Sequence, residues 1–404
     1  MNIYLVGGAV RDTLLGRPAQ DRDYVIVGAT ADDVQQLQAE GYRPVGKDFP
    51  VLLHPETHAE YALARVERKV GAGHCGFVCE ATSTVTLEED LSRRDLTINA
   101  IAQAADGTLI DPFHGARDLQ AGILRHVSPA FAEDPLRILR VARFAARYAF
   151  TVAPETLALM RDMVAADTLE TLSMERVWAE TLKALQTPQP VRYFTVLRDC
   201  GALVRVFPEL DRLFGIPQPA AHHPEIDTGV HVLLALERAT ALSDDPVVRF
   251  SALVHDLGKG VTPETDWPQH HGHEEAGVAL VDQLADRLKI PNAFRELGRL
   301  VSQYHLQCHR VQELRAGSVL KVLEALSALK RPERLESFLL ACQADAQGRL
   351  GREATPYPQA AVFRAALAAA RAIEVTPLID KGYTGPKLGQ LLRAARIRAI
   401  KRTL

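Results

Sequence analysis

Two aspartates near the amino terminus have the type and spacing that phosphate chemistry requires. Asp21 and Asp23 are separated by one residue and lead into the apolar run Tyr24-Val25-Ile26-Val27. Because side chains alternate along a β-strand, both carboxylates would point to the same side. Paired carboxylates hold Mg²⁺, which neutralises charge on a transferring phosphoryl group and activates the attacking hydroxyl. The pair therefore predicts a Mg²⁺ site for phosphate chemistry.

The elements before this pair would supply the other half of such a site. Ile3 to Val6 predicts a strand, Gly7-Gly8 a turn, and residues 9–16 a short helix. Glycine lets the backbone approach a triphosphate closely, and the amides that open a helix point at an anion. We expect Gly8 and Arg11 to bind nucleotide phosphates. Taken singly, a glycine pair is typical of a turn and Asp-x-Asp of a solvated strand end.

The two motifs together resemble the head domain of the nucleotidyltransferase superfamily, and in detail the class II CCA-adding enzymes of transfer RNA. The matching strings are Leu5 to Asp12 and Asp21 to Asp23. Arg93 to Ala100 resembles a further signature of that family, which implies that Arg94 contacts the triphosphate and that Asp95 lies near the ribose. Alone, the adjacent arginines would indicate surface charge. Arginine suits the role because its planar fork meets two phosphate oxygens.

A third motif, Glu133-Asp134-x-x-Arg137, has side chains that could read a base. Cytosine and adenine present an amino donor beside a ring-nitrogen acceptor, where uracil and guanine present a carbonyl group. A carboxylate and an arginine would therefore admit CTP and ATP, since good base contacts discriminate by about 1–3 kcal/mol. The resemblance assigns this templating role to Asp134 and Arg137, with Arg140 one turn on towards the phosphates or the RNA end. The alternative is a helix N-terminus followed by a basic solvated face from Arg140 to Arg147.

The second half of the chain is rich in histidine. Nine of the fourteen histidines lie between residues 222 and 309. Neutral imidazoles combined with carboxylates suit a borderline transition metal. Their order resembles the HD phosphohydrolase superfamily, which implies metal-assisted hydrolysis of 2′,3′-cyclic phosphates, 2′-nucleotides or other phosphoesters, with Ni²⁺ as the expected metal. The expected ligands are His231, His255, Asp256, His305 and Asp345, with His273 as a further candidate. The alternatives are a chance His-Asp dipeptide and an Asp345 that only closes a helix.

Composition sets the limits of these predictions. The chain has 404 residues, 47% of them hydrophobic, so it is long enough for two to four domains. Because its formal net charge is −3, any contact with nucleic acid must come from local basic patches. The five scattered cysteines lack zinc-knuckle spacing and suit a reduced cytosol, with Cys75 and Cys79 as idle thiols. No stretch has the length of a membrane span or the pattern of a targeting signal. We expect a cytoplasmic protein that does not bind membranes.

The predicted fold class is α/β followed by all-α. We expect a small mixed-sheet nucleotidyltransferase head over residues 1–125, a helical neck and body over 126–220, an all-helical HD domain over 228–329 and a helical tail over 330–404. Residues 67–74 are charged and glycine-rich, which predicts a mobile loop. After Asp380 the tail carries basic residues and no acid, which indicates a solvated helix or a contact with RNA phosphates.

The reaction that the resemblance implies is stepwise addition of C, C and A to the 3′ end of tRNA, from CTP and ATP, without a nucleic-acid template. The expected partners are tRNA, ATP and CTP, and a homodimer stays open. Three alternatives also stay open: a poly(A) polymerase with the same head motifs, a protein-modifying uridylyltransferase that joins such a head to an HD domain, and an HD half that is only a metal-stabilised docking module.

Overall fold

The computed structural model describes residues 1–19, 22–45, 51–80 without 70–76, and 82–404. The side chains of 66–69 and 77–80 are not described. Asp21 and Cys75 therefore lie outside the described residues, as does the side chain of Cys79. The chain forms two compact units: unit 1 consists of Met1–Glu180 with Arg192–Ala202, and unit 2 of Thr181–Val191 with Leu203–Leu404.

Unit 1 is built around a mixed β-sheet. Its strands are β1 Asn2–Val6, β2 Asp23–Val27, β3 Arg43–Val45, β4 Val51–Leu53, β5 Glu60–Leu63, β6 Val66–Lys69, β7 Phe77–Glu80, β8 Ala102–Gln103, β9 Leu109–Ile110, β10 Ile123–Leu124 and β11 Thr151–Val152. Seven of these described strands form one sheet in the order β3-β4-β5-β2-β1-β8-β9, in which β2 and β5 are parallel and the other pairs antiparallel. Strands β10 and β11 form a separate parallel pair.

The sheet places Asp23 at the end of a central strand. Asp23 opens β2 and is paired in register with Val6 on one side and Glu60 on the other. The next residues alternate between two hydrophobic cores, since Val25 and Ile26 pack into different clusters. Both faces of the sheet are therefore covered, and Asp23 is exposed at the end of β2.

The segment predicted as a loop over residues 67–74 is partly a hairpin. Residues 66–69 form strand β6, which pairs antiparallel with β7. The loop prediction was therefore wrong for residues 67–69, because cross-strand hydrogen bonding overrides the charged composition there. Residues 70–74 lie outside the described residues.

The remainder of the described chain is mainly helical. The α-helices are α1 Gly8–Leu14, α2 Ala31–Ala39, α3 Leu87–Ser92, α4 Gly115–Ala121, α5 Leu136–Tyr148, α6 Pro154–Ala165, α7 Met174–Leu185, α8 Val191–Asp199, α9 Leu203–Val206, α10 Pro208–Asp211, α11 Thr228–Leu242, α12 Pro246–Val254, α13 His273–Leu288, α14 Asn292–His309, α15 Ala316–Ala325, α16 Glu333–Gln347, α17 Gln359–Arg371, α18 Thr376–Ile379 and α19 Gly385–Lys401. Short 3₁₀ turns occur at Thr97–Asn99, Pro129–Glu133, Thr168–Thr171, Leu257–Val261, Glu264–Asp266 and Val311–Glu313.

Helix α5 begins later than its motif. The 3₁₀ turn ends at Glu133, Asp134 has extended backbone angles, and the helix starts at Leu136 after Pro135. The carboxylate of Asp134 accepts a hydrogen bond from the Leu136 amide at 3.0 Å, which satisfies one of the free donors at the helix start. Asp134 and Arg137 therefore do not share a helical face, and their proximity depends on this turn.

Unit 2 has an all-helical core. Apolar side chains from α12 and α14 to α17 form a buried cluster, which Ile400 of α19 joins. The predicted combination of a mixed-sheet head with an otherwise helical chain is confirmed. Among the described residues, no helix combines the length and apolar composition that a membrane span requires.

Candidate active sites

A cleft of about 470 Å³ in unit 1 brings the amino-terminal motifs together. Its described lining includes six arginines and three aspartates. An excess of guanidinium groups over carboxylates favours a polyanionic ligand such as a triphosphate. The lining residues are Gly7, Gly8, Arg11, Asp23, Arg93, Arg94, Asp95, Asn99, Asp134, Leu136, Arg137, Arg140, Phe144 and Arg176.

Gly7 and Arg94 meet where helix α1 begins. Gly7 has a φ of 69°, and a Cβ there would lie 2.9 Å from Nη1 of Arg94. Glycine is therefore required both for the backbone angle and for the close approach of the arginine. Nη2 of Arg94 lies 3.4 Å from Asp90, and its Nε is buried without a hydrogen-bond partner among the described residues. Burial lowers the pKa of Arg94, and Asp90 opposes that effect.

Asp95 holds Arg140 on one wall of the cleft. Arg140 donates from Nη2 and Nε to Oδ2 of Asp95 at 2.7 and 2.8 Å. Oδ1 of Asp95 accepts from Asn99 at 2.9 Å and from the Leu96 amide at 2.8 Å. Burial alone would raise the pKa of Asp95, but Arg140 and Asn99 outweigh it and lower that pKa to about 2. Asp95 is therefore a fixed anion.

The residues of the third motif are held by neighbouring groups. Arg176 on α7 donates to Oδ2 of Asp134 at 3.1 Å. Arg137 donates to the carbonyl oxygens of Ala130 at 2.8 Å and Arg93 at 2.6 Å. Both side chains line the same cleft as Arg94, so a nucleotide with its phosphates at Arg94 would have its base within the same space.

Arg11, which was predicted to bind phosphates, is buried and contacts several groups of the protein. Its Nη1 donates to Oδ1 of Asn99 at 2.5 Å, and its Nη2 and Nε lie 2.8 and 2.9 Å from Oδ1 of Asp12. Asp12 also accepts from the hydroxyl of Tyr148 on α5 at 2.8 Å. Arg11 thus supports the packing of α1 against α5 as well as lining the cleft.

In unit 2 the predicted histidines and aspartates form one buried cluster. Overlapping groups of potential metal ligands are His231, His255 and Asp256; His255, His305 and Asp345; and Asp256, His273 and His305. The nitrogen and oxygen atoms of these side chains are 3.1 to 3.9 Å apart in the closest pairs. Ligands that lie about 2.0–2.2 Å from one ion are separated by roughly 3.0–3.6 Å, so the spacing fits metal binding.

Backbone carbonyl groups orient three of the imidazoles. Nδ1 of His255 donates to Ala252 O at 2.8 Å, Nδ1 of His273 to His270 O at 2.7 Å, and Nδ1 of His305 to Ser302 O at 3.0 Å. Donation from Nδ1 leaves Nε2 as the metal-binding atom. The Nε2 atoms of His255 and His273 are buried without hydrogen-bond partners in the described part of the chain. Such unpaired buried atoms are costly unless a ligand satisfies them.

Charge in the cluster also suits a cation. Burial alone would raise the pKa of Asp256, but His255 and Lys259 outweigh it and hold that pKa well below its usual range. Asp345 behaves in the same way, with burial opposed mainly by His255 and His309. Burial lowers the pKa of His305 to about 3, so this imidazole is neutral at physiological pH. Burial alone would lower the pKa of His255, but Asp256 and Asp345 outweigh it and raise that pKa, so metal binding by this imidazole would displace a proton. Two ionised carboxylates beside the neutral imidazole of His305 suit a divalent transition metal.

The comparison with known proteins identifies the family. Residues 3–125 match the family model for the poly A polymerase head domain, residues 149–214 the probable RNA and SrmB-binding site of polymerase A, and residues 228–340 the HD domain. A multifunctional CCA protein from Nitrosococcus oceani is 59% identical over 404 residues, covering 100% of this chain and 99% of the relative. The chain belongs to the multifunctional CCA protein family. It is therefore a nucleotidyltransferase of the CCA-adding type with an HD phosphohydrolase domain, and both domains belong to groups that use divalent metals.

Solved structures of CCA-adding enzymes have the same fold as this chain. A CCA-adding enzyme in complex with CTP has a TM-score of 0.67 at 23% identity, covering 99% of this chain and 87% of that one. The Thermotoga maritima CCA-adding enzyme complexed with tRNA has a TM-score of 0.68 at 20% identity, with the same two coverages of 99% and 87%. Family membership favours CCA addition over the poly(A) polymerase and uridylyltransferase alternatives, because the relative matches over its full length.

The structure places most of the predicted site residues of this chain in two groups. Those that line the cleft of unit 1 are Gly8, Arg11, Asp23, Arg94, Asp134, Arg137 and Arg140. Those in the cluster of unit 2 are His231, His255, Asp256, His273, His305 and Asp345. Asp345 lies within helix α16 and is 1% exposed, so it does not merely close the helix. The basic solvated face that was the alternative for α5 is wrong for Arg143, which is buried against Glu180.

Sequence reasoning missed four residues that support these sites. Arg176 looks in the sequence only like part of a helix cap, although it contacts Asp134. Glu225 lies 2.9 Å from Nδ1 of His231, and no local motif marks it. Two others had a usable signal: Lys259 is three residues after Asp256, which it contacts at 2.6 Å, and His309 is one helical turn after His305 and contacts Asp345 at 2.6 Å.

Proposed function

We propose that the cleft of unit 1 adds CMP, CMP and AMP in turn to the 3′ end of tRNA, using CTP and ATP, releasing pyrophosphate and requiring no nucleic-acid template. The observation that carries this proposal is the convergence of Asp23, the glycine turn, Arg94 and the Asp134–Arg137 motif on one cleft. The solved relatives in complex with CTP and with tRNA support the same ligands.

The phosphates would bind at the end of the cleft formed by the glycine turn. Asp21 and Asp23 would hold Mg²⁺, which when bound reduces charge on the triphosphate and favours ionisation of the attacking hydroxyl. Gly8 lets the backbone approach the phosphates, and Nε of Arg94, which has no hydrogen-bond partner among the described residues, could donate to them. Arg11 adds positive charge from a position fixed by Asp12.

The base would be selected by Asp134 and Arg137. The carboxylate accepts from the amino group of cytosine or adenine, and the guanidinium donates to the ring nitrogen or adjacent acceptor. Arg176 and two backbone carbonyl groups restrain this pair, which lowers the entropy that base binding must overcome. Arg140, held by Asp95, would face the phosphates or the RNA end.

The cluster in unit 2 would form the phosphohydrolase site. His231, His255, Asp256, His305 and Asp345 would bind a divalent transition metal, for which we expect Ni²⁺, and His273 offers a further ligand. When bound, the metal lowers the pKa of its water for attack on a phosphoester. Carbonyl groups keep three of the imidazoles in the metal-binding tautomer. The expected substrates are 2′,3′-cyclic phosphates, 2′-nucleotides and other phosphomonoesters.

The decisive experiment offers each nucleotide, alone and in combination, to the protein with tRNA that lacks its terminal CCA. We expect C and A to be added and U to be rejected, whereas long A-tracts from ATP alone would favour a poly(A) polymerase. Asp23→Ala, like Asp21→Ala, should abolish addition and leave cyclic-phosphate hydrolysis intact. His255→Ala should do the reverse. Unchanged hydrolysis in His255→Ala would instead favour a docking role for the HD domain.

The proposed function suggests a role for each part of the chain. We propose that residues 1–125 are the nucleotidyltransferase head, 126–220 the tRNA-binding neck and body, 228–329 the HD domain and 330–404 a helical tail that contacts tRNA through its basic residues. We expect the protein to act in the cytoplasm. A homodimer stays a prediction, which sedimentation velocity tests.

A further inference from the structure

Arg349, a cation beside the metal-ligand cluster of unit 2, has one donor that the described residues do not use. Nη2 of Arg349 lies 3.3 Å from Oδ1 of Asp345, and its Nη1 lies 3.4 Å from the carbonyl oxygen of His222. Both contacts are long, since charge-assisted hydrogen bonds of this kind are usually about 2.7–2.9 Å. The Nε atom is buried and has no hydrogen-bond partner in the described part of the chain. The guanidinium therefore has unused capacity to bind an anion.

The fold places this arginine at the cluster through a close helix contact. Gly348 follows helix α16, and a Cβ there would lie 2.6 Å from the Cα of Ala235 on helix α11. Only glycine therefore allows the end of α16 to pack this closely against the helix that carries His231. The side chain of Arg349 is 16% exposed, whereas that of Asp345 is 2% exposed. Arg349 is thus more exposed than the buried carboxylate that it contacts.

A second cation of the cluster, Lys259, already has close partners. Nζ of Lys259 donates to Asp256 and to Gln218, each at 2.6 Å. Lys259 therefore neutralises a carboxylate inside the cluster, while Arg349 makes only long contacts at its edge. Of the two, Arg349 has the geometry to exchange its present contacts for a ligand.

We propose that Arg349 binds the phosphate group of the HD-site substrate, donating from Nε and one Nη atom to two non-bridging oxygens. This proposal rests on the phosphohydrolase function proposed above. A planar guanidinium fork matches two phosphate oxygens, and both a phosphomonoester and a 2′,3′-cyclic phosphate present such a pair. The anion would replace the long contacts of Arg349 to Asp345 and to the His222 carbonyl group, and would lie beside the metal-ligand cluster.

The test uses the full chain with Ni²⁺ as the metal and inorganic phosphate as the binding probe. In Arg349→Ala, calorimetry should show phosphate affinity reduced by about 10- to 100-fold, and the KM for a 2′,3′-cyclic nucleotide should rise by a similar factor. Binding of Ni²⁺ alone should not weaken, because Arg349 is not a metal ligand and its positive charge opposes that of the ion. Arg349→Lys keeps the charge but loses the planar guanidinium, so its phosphate affinity should lie between those of the unaltered protein and Arg349→Ala. If the alanine variant does not fold, the lysine variant tests the proposal. Arg352→Ala, at an exposed position in the same segment, is the matched control and should bind phosphate normally.

Two results would overturn the assignment. If Arg349→Ala weakens Ni²⁺ binding and leaves phosphate affinity unchanged, the residue serves only Asp345. If both affinities equal those of the unaltered protein, it has neither role. Failure of the phosphohydrolase function itself looks different: the unaltered protein would bind Ni²⁺ but neither bind phosphate nor hydrolyse the cyclic nucleotide, and the proposal for Arg349 would fall with it.

Discussion

The ion pair between Asp95 and Arg140 yields a quantitative prediction. In Asp95→Asn the amide oxygen can still accept from Asn99, but the amide nitrogen would face the donors of Arg140. The pKa of Asp95 is about 2 in the folded chain, against an ordinary value of 3.8. At 1.36 kcal/mol per pKa unit, this difference corresponds to about 2 kcal/mol. Asn at this position should lower the free energy of unfolding of unit 1 by that amount at pH 7.

The stabilisation by Asp95 should depend on pH in a direction set by its lowered pKa. The folded pKa is lowered, so the ionised carboxylate stabilises the fold fully above the unfolded pKa near 3.8 and loses this effect as pH falls towards 2. The difference between Asp95→Asn and the unaltered protein should therefore shrink to about 1 kcal/mol at pH 3.

The assay follows the tryptophan of unit 1. The chain has two tryptophans, and Trp267→Phe leaves only Trp178, which is buried in unit 1. Urea unfolding monitored by Trp178 fluorescence then reports on that unit. Asp106→Asn is the control, because Asp106 is exposed and its side chain caps a turn at Thr108. Its urea midpoint should be unchanged. Equal midpoints for Asp95→Asn and the unaltered protein at pH 7, or a difference that does not vary between pH 7 and pH 3, would refute the reasoning.

The remaining predictions concern unit 2. Glu225→Gln removes a carboxylate that lies 2.9 Å from Nδ1 of His231. Calorimetry should show Ni²⁺ binding weakened by about 10- to 100-fold. An unchanged affinity would show that Glu225 does not orient this imidazole. Gly258→Ala would place a Cβ 1.9 Å from the carbonyl oxygen of His273, and should lower the free energy of urea unfolding by about 2–3 kcal/mol. The same substitution at Gly389, where nothing lies within 4 Å, should not destabilise the protein, and equal effects at the two glycines would contradict the close packing of the 3₁₀ turn on helix α13.

Local motifs determine much of the chemistry of this protein. The strand, glycine turn and helix from residue 2 to residue 14 follow from an apolar run and two glycines, and the structure has all three. The positions of Asp23, Arg94 and Asp134 on one cleft also agree with the predictions from the motifs. The predictions of the strand, turn and helix succeed because they depend on backbone preferences within a few residues, whereas the roles of the three cleft residues stay predictions.

Other features could be decided only by tertiary packing. Nothing near Arg143 marks it as buried, because its partner Glu180 is 37 residues away. The same holds for Arg176, which looks like part of a helix cap until α7 meets the turn at Asp134.

The clearest contrast is between the metal ligands and their supports. The types and order of the histidines and aspartates in the second half indicate a metal site from the sequence alone. Contact between His231 and Asp345 spans 114 residues, and it exists only because Gly348 lets helices α11 and α16 pack closely. Sequence spacing specifies which side chains share a local element. The distances between the proposed ligands, and the lack of a described partner for Nε of Arg349, arise from how separate helices bury their apolar faces against one another.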